Sequence, residues 1–411
     1  MNYFLLIWRN LWKNALQTII TSTIIGSSIG LLLLVILISN GVQKGLVRAV
    51  EPFDLIVGAK GSSFQVTLNT VFLQDKPVGN IDYDLLEKLK TNSNVQSAIP
   101  IGFGDNYRGY RIVGTEKSIF QHTVQQKGEP WLQFAEGRVF NEENFEAVLG
   151  SKVAKETGLK VGNEFASSHG VVEALEEGSS EHKENKFKVV GVLQSVGGPY
   201  DDAVIVPLSS IWRLHEHAHS TLVKEGAPPS AEHEHKETTV ILVKPTGYAE
   251  AMSLYKEFQK NNEAQLIFPS QNVIQLLQIL GEGEKILKVI SYAVLIIVFA
   301  IIALSIYWSN LSKVRDRFIL RALGAGRQAL SLVAFGEGFL QIIFGIICGF
   351  ILGHGIYYFL INFLEQKTAI AFPHEISSME VIALLGILTI GSLISLVCSR
   401  LLYSKNIAEE I

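Results

Sequence analysis

The chain has 411 residues, 48% hydrophobic and 18% charged, with a mean hydropathy of +0.28 and a formal net charge of −4. Globular chains average about 25% charged residues, and the missing charge is concentrated: residues 14–43, 289–312, 338–364 and 381–399 hold no Asp, Glu, Lys or Arg. This excludes a soluble enzyme, a disordered chain and a disulfide scaffold, and the negative balance excludes a generally basic nucleic-acid binder.

In residues 1–16, Phe4, Leu5, Trp8, Leu11, Trp12 and Leu16 recur at helical spacing while Arg9 and Lys13 fall on another face. Two Trp on such a helix predict a segment lying in the lipid headgroup plane. Residues 17–40 follow as the first transmembrane helix; the run is too long for a signal-peptide core and reads as a retained anchor. Further spans are expected at 285–310, 328–362 and 380–403. Each is long enough to cross a hydrocarbon core of roughly 30 Å, where backbone amides find no water and must be helical. Gly26 and Gly30 in span one, and Gly345, Gly349 and Gly353 in span three, have the small-residue spacing that lets helices approach closely in lipid. Cys348 and Cys398 fall inside uncharged runs and read as apolar packing residues. Glu337, an acid expected within the third span, reads as a structurally paired group rather than an ion carrier.

Lys and Arg set the orientation. The segment 311–327 carries Lys313, Arg315, Arg317, Arg321 and Arg327 against Asp316, so it is expected in the cytoplasm. The acid-rich loop 363–379 is expected outside, and both termini, with the tail 404–411, inside.

Residues 41–284 carry 23 basic and 32 acidic residues. They are expected to form a large α+β extracytoplasmic domain between spans one and two, with strands near 54–57, 109–113, 186–193, 203–207 and 238–243 and helices near 83–90, 151–158, 248–260 and 270–280. Residues 39–51 and 270–288 read as stalk helices. Two biased stretches interrupt the domain: an acidic one from Glu173 to Glu184, and a His-rich loop at 215–237. His215, His217, His219, His233 and His235 lie among acids there, a donor set suited to zinc or another divalent transition metal. His215-Glu216-x-x-His219 formally matches the zincin pattern, but a His/Glu-biased loop produces it by chance. A zinc-dependent protease therefore ranks below a metal-capturing loop, and no catalytic residue is assigned.

No GxxxxGK[ST] phosphate loop occurs, so no nucleotide is expected on this chain. The segment from Lys313 to Arg327 has an apolar face at Phe318, Ile319 and Leu323 and a charged face of Arg residues, and it ends at Gly324-Ala-Gly326. From Arg315 to Ala325 it resembles the "Arg-x-x-x-x-Leu-Arg-Ala-Leu-Gly-Ala" signature of MacB/FtsX-like ABC transporter permeases, and Glu337-Gly338 stands where their third span often opens with a Glu-Gly pair. The sequence after span one, from Asp54 onward, resembles a poorly characterised branch of that family. The resemblance implies a non-catalytic permease subunit in a bacterial cytoplasmic (inner) membrane, a homodimer by expectation, paired with a cytoplasmic ABC ATPase that holds the ATP. Arg315, Arg317, Arg321, Leu323 and Gly324 would couple ATPase motion through the spans to the external domain, for export, extraction or partner activation. A periplasmic adaptor, lipoprotein or metal-binding protein would complete the system, in contact with membrane lipid and with no nucleic acid. The rival reading is a membrane-anchored metal-binding or sensing protein without an ATPase.

Overall fold

The computed structural model describes residues 3–124, 128–170, 185–220, 236–313, 319, 321, 324–368, 372 and 376–404. Two helices open the chain, α1 (Tyr3–Lys13) and α2 (Ala15–Val50). There follow β1 (Leu55–Ala59), α3 (Ser63–Val71), β2 (Ile81–Asp82), α4 (Asp84–Thr91), β3 (Val95–Tyr107), β4 (Tyr110–Thr115), β5 (Phe134–Gly137), β6 (Glu146–Leu149), α5 (Ser151–Thr157), β7 (Glu164–Phe165), β8 (Ser168–His169), β9 (Phe187–Leu193), β10 (Ala203–Pro207), α6 (Leu208–Ser220), β11 (Glu237–Thr238), β12 (Val240–Pro245), α7 (Tyr248–Phe258) and β13 (Ala264–Ile267). Three long helices close the chain: α8 (Pro269–Ser312), α9 (Arg327–Thr368) and α10 (Ser378–Ser404). The chain divides into a helical unit (Met1–Gln43, Ile279–Leu364, Pro373–Ile411) and a mixed unit (Lys44–Gln278, Glu365–Phe372).

In the helical unit, α2, α8, α9 and α10 are each long and apolar enough to cross a membrane. Apolar residues one turn apart make its core: Ile25, Ile29 and Leu33 of α2, Val298, Ile302 and Ile306 of α8, Ile342 of α9 and Ile387 of α10. α2 and α9 meet glycine to glycine. A Cβ on Gly349 would lie 2.7 Å from Ile29 Cβ and 2.8 Å from the Gly26 carbonyl oxygen, and one on Gly353 3.1 Å from the Gly30 carbonyl oxygen. In lipid there is no hydrophobic gain from bringing two apolar helices together, so this close approach, with its dispersion contacts, holds the pair. α2 has 36 residues and α8 has 44, so at about 1.5 Å per residue both are far longer than a hydrocarbon core.

The mixed unit is built on one sheet of eleven strands, in the order β13-β1-β12-β3-β4-β10-β6-β9-β5, with β7 added on β9 and β8 on β3. β10 runs parallel to β4 and β6 to β9; the other pairs of this sheet are antiparallel. Two cores form along it. Leu55, Val57, Ile241, Val243 and Leu266 pack with Leu86 and Leu89 of α4 and Leu254 and Phe258 of α7. Ile112, Leu149, Phe187, Val189, Val204 and Val206 pack with Ile211 and Leu214 of α6. This fold, four apolar spans with a mixed α/β domain between the first and second, is the class expected from the sequence.

The structure differs from the sequence reading in detail. β3 was not foreseen, because Pro100, Gly102 and Gly104 within it are poor strand formers; its neighbours β12 and β4 override that local preference. The His-rich stretch is not a loop from its start, since α6 continues to Ser220 and carries His215, His217 and His219. The leading Ile211 and Leu214 anchor that helix on the second core.

The glycine face makes a contrast that can be measured. Gly349→Leu, which must push α2 away, should cost about 1–3 kcal/mol or more and lower the melting midpoint in detergent. Gly355→Leu, which would add a side chain where nothing lies within 4 Å, should leave it unchanged or raise it. Equal midpoints for the two variants would refute the packed face.

Candidate functional site

The triplet Gly336-Glu337-Gly338 on α9 is where the helical unit concentrates its polarity. Glu337 and Lys313 are both 2% exposed, and Lys313 Nζ donates to Glu337 Oε2 at 3.0 Å. Asn10 Nδ2 of α1 donates to Glu337 Oε1 at 2.8 Å. The flanking glycines make room for this. A Cβ on Gly336 would lie 2.5 Å from Ile7 Cδ1 of α1, and one on Gly338 would overlap Ser395 Oγ of α10. Glu337 thus sits where α1, α9 and α10 press together, next to Lys313 just past the end of α8. Weaker polar links surround it: Gln341 to Ser309 at 3.1 Å, Gln17 to Ser312 at 2.5 Å, and Ser395 to the Phe335 carbonyl at 3.3 Å. α1 is seated by Ile7 and Leu11 against Val333, with Leu340 and Phe344 beside them.

At the opposite end of the same unit a second cluster joins α2, α9 and α10. Ser377 and Glu380 form a capping box: the Ser377 N–H donates to Glu380 Oε1 at 2.8 Å and the Met379 N–H to Ser377 Oγ at 3.3 Å. Asn40 of α2 donates to Ser377 Oγ at 3.1 Å. His354 Nε2 of α9 lies 3.1 Å from Glu380 Oε2, and its ring packs on Phe350.

Of the expected coupling residues, Arg321 is helical and exposed, and Gly324 closes the turn at φ +94°, its N–H donating to the Arg321 carbonyl at 3.0 Å. That backbone angle suits glycine. Arg315, Arg317 and Leu323 lie outside the described residues. Gly26, Gly30, Gly345, Gly349 and Gly353 are brought together on the α2–α9 face. His215, His217 and His219 lie on the last turns of α6, where positions 215 and 219 share a face and 217 does not. His233 and His235 lie outside the described residues, among which no group of three His, Cys, Asp or Glu is placed to hold a metal.

Within the mixed unit, the chain leaving α2 enters an aromatic cluster. Phe53 is buried 5.4 Å from Trp131 and 5.7 Å from Tyr200, and those two rings are 4.7 Å apart. Tyr200 donates its hydroxyl to the Thr70 carbonyl at 3.1 Å. His122 Nε2 donates to the Pro52 carbonyl at 2.7 Å, and Lys244 Nζ to the Thr123 carbonyl at 2.6 Å. Burial holds the His122 pKa below its ordinary value and pushes the Asp54 carboxyl up, against the pull of Lys244 and His122. Buried Arg111, over the Phe103 ring and bonded to the Asp75 carbonyl, is lowered by desolvation to about 10.

Sequence reasoning missed Asn10, Lys313 as a buried partner, Glu380 as a buried acid, and the Phe53 cluster. One signal was present: Lys313 follows the uncharged run 289–312 directly and Glu337 directly precedes the run 338–364. The expectation of a structural pairing for Glu337 matches the geometry.

Comparison with known proteins completes the assignment. Residues 18–253 match the MacB-like periplasmic core domain, and residues 288–407 the FtsX-like permease C-terminal domain. No curated protein sequence matches the chain. Among solved structures, the chain is similar to the periplasmic region of MacB from Actinobacillus actinomycetemcomitans, 14% identical over 56% of this chain and 95% of that one, with a TM-score of 0.33. It is also similar to the extracellular domain of the noncanonic ABC-type transporter YknZ from Gram-positive bacteria, 12% identical over 52% of this chain and 98% of that one, with a TM-score of 0.29. With one family domain matching more than half of this chain and the other its three remaining spans, this chain belongs to the MacB/FtsX-like ABC transporter permeases.

Proposed function

We propose that the chain is the permease subunit that carries the motion of a separate cytoplasmic ABC ATPase to its own periplasmic domain, as a homodimer in the inner membrane with both termini in the cytoplasm. The observation that carries this reading is the buried Lys313–Glu337–Asn10 contact. Lys313 lies near the start of the expected coupling segment 311–327, so a pull on that segment would act on a charge held by α9 and α1 rather than on a frayed helix end. α2 and α8 are each one unbroken helix with residues in both units, which suits a lever. The chemistry of ATP hydrolysis belongs to the partner. Arg321 and the Arg and Leu residues around it would dock in a groove of the ATPase, by ion pairs and one apolar anchor.

A narrower proposal concerns metal. The His and Glu residues from His215 to His235 would bind zinc or a related divalent ion and link the system to metal handling; the composition of that stretch supports it.

Three outcomes are expected. Arg321→Glu with Leu323→Asp should cut co-purification of a co-expressed cognate ABC ATPase by about tenfold or more, the loss of roughly 1.4 kcal/mol or more of docking; undiminished binding would overturn the coupling assignment. Glu337→Ala should destabilise the purified protein by about 3–5 kcal/mol, because Lys313 stays buried without its carboxylate, whereas Glu337→Leu with Lys313→Leu should recover most of that loss while ATPase stimulation by the permease stays impaired. Normal stimulation in a stable double variant would remove Glu337 from the relay. Deleting residues 221–235 together with His215→Ala, His217→Ala and His219→Ala should abolish zinc binding measured by calorimetry on the full chain, and unchanged stoichiometry would end the metal proposal.

A further inference from the structure

Within the mixed unit, the short strap between the end of α2 and β1 lies on a buried histidine. Pro52 and Phe53 are both buried, and the Pro52 carbonyl takes the bond from His122 Nε2 at 2.7 Å. A carbonyl only accepts, so Nε2 carries the proton. His122 is itself fixed at both ends of its backbone: its N–H donates to the Ile119 carbonyl at 3.2 Å, and its carbonyl accepts from the Trp131 N–H at 2.8 Å. The Trp131 ring stands edge-on to the imidazole at 6.4 Å and also packs on Phe53. The imidazole therefore has one bond to the strap, an aromatic wall and little contact with water.

Among the described residues, two charged groups act on this ring: Lys244 of β12 and Asp54 at the far end of the strap. Lys244 is buried, and its Nζ donates to the carbonyl and the hydroxyl of Thr123, the residue after His122, at 2.6 and 3.1 Å. A second proton on His122 would put a cation into the interior beside an ammonium already there, and the bond to Pro52, which the neutral ring makes, does not need it. Burial is the largest influence and holds the His122 pKa down; the Pro52 bond and Asp54 offset it only in part. We infer that the strap is an acid-sensitive clasp, in which His122 is charged readily only when Pro52 and Phe53 lift away from it, so that falling pH loosens the chain between α2 and β1. The ligand of this site is the proton, and the inference holds with or without an ATPase stroke along α2. The sign follows from linkage. A freed imidazole titrates near its ordinary value of about 6.5 and the clasped one lower, so acid favours opening from about pH 6.5 downward until the clasped ring is charged too. Asp54 acts in the opposite sense: its raised carboxyl pKa favours the clasped state as pH falls through that value.

The test is amide hydrogen exchange on the full chain in detergent, read by mass spectrometry between about pH 7.5 and about 5.5, the histidine range, and corrected for intrinsic exchange. The reporters are the Phe53 N–H, bonded to the Val50 carbonyl at 3.0 Å, and the Trp131 N–H. In the wild type their protection should fall by about threefold to tenfold across this window, while that of β12 and β6 stays constant. His122→Gln, whose amide can still donate to Pro52 but does not titrate, should lose the response. Asp54→Asn, a change at an exposed position, should enlarge it, because the charged ring loses its counter-charge and the opposing titration is gone. This second variant decides the matter should His122→Gln fail to fold. Constant protection of the strap in the wild type, the same loss in His122→Gln, a weaker loss in Asp54→Asn, or a loss shared equally by β12 and β6 would each overturn the inference.

Discussion

A carboxylate and an ammonium buried against each other among membrane helices fix the geometry of the helical unit. Left alone, either charge would be costly in that setting. Together, and with the Asn10 amide on the second carboxylate oxygen, they are stable only while α1, α9 and the end of α8 keep their places. Gly336 and Gly338 belong to the same contact, because a side chain at either position would meet Ile7 of α1 or Ser395 of α10. A contact of this kind has few intermediate states: it is closed, or it exposes a charge to an apolar surrounding.

The opposite end of the unit is tied differently. Ser377 caps α10 and takes a hydrogen bond from Asn40, while Glu380 completes the capping box and faces His354. Between the two polar ends, the glycine face brings α2 and α9 backbone to backbone. Polar groups at both ends set helix register, and small residues in the middle set distance. Packing alone would leave the helices free to slide or rotate, since lipid tails solvate one apolar face as well as another.

In the mixed unit, the same question of how a helix end is held receives an aromatic answer. Phe53 follows α2 by three residues and is enclosed by Trp131 and Tyr200, with Pro52 held by His122. Tyr200 reaches on to the Thr70 carbonyl at the end of α3, and Arg111 bonds the Asp75 carbonyl just beyond it. Large rings bury much area with little side-chain freedom to lose, so displacement of Pro52 and Phe53 would disturb α3 and the strands beside it. On the proposed reading, this is where a stroke arriving along α2 would be received.

The sequence by itself determined the architecture. Uncharged runs longer than a bilayer core mark the spans, the Lys and Arg bias of 311–327 gives the direction expected of them, and the spacing of Gly345, Gly349 and Gly353 marks a face for close packing. These properties are local or periodic and need no knowledge of neighbours. The partners did need it. Glu337 finds Lys313 across 24 positions and Asn10 across 327, and nothing in the chain between them encodes that meeting. The same holds for Phe53 among Trp131 and Tyr200, and for β3, whose Pro and Gly content argues against a strand until β12 and β4 pair with it. Burial and pairing are relations between distant segments, so the tertiary structure alone decided which charges became contacts and which of the chain's aromatics became a junction.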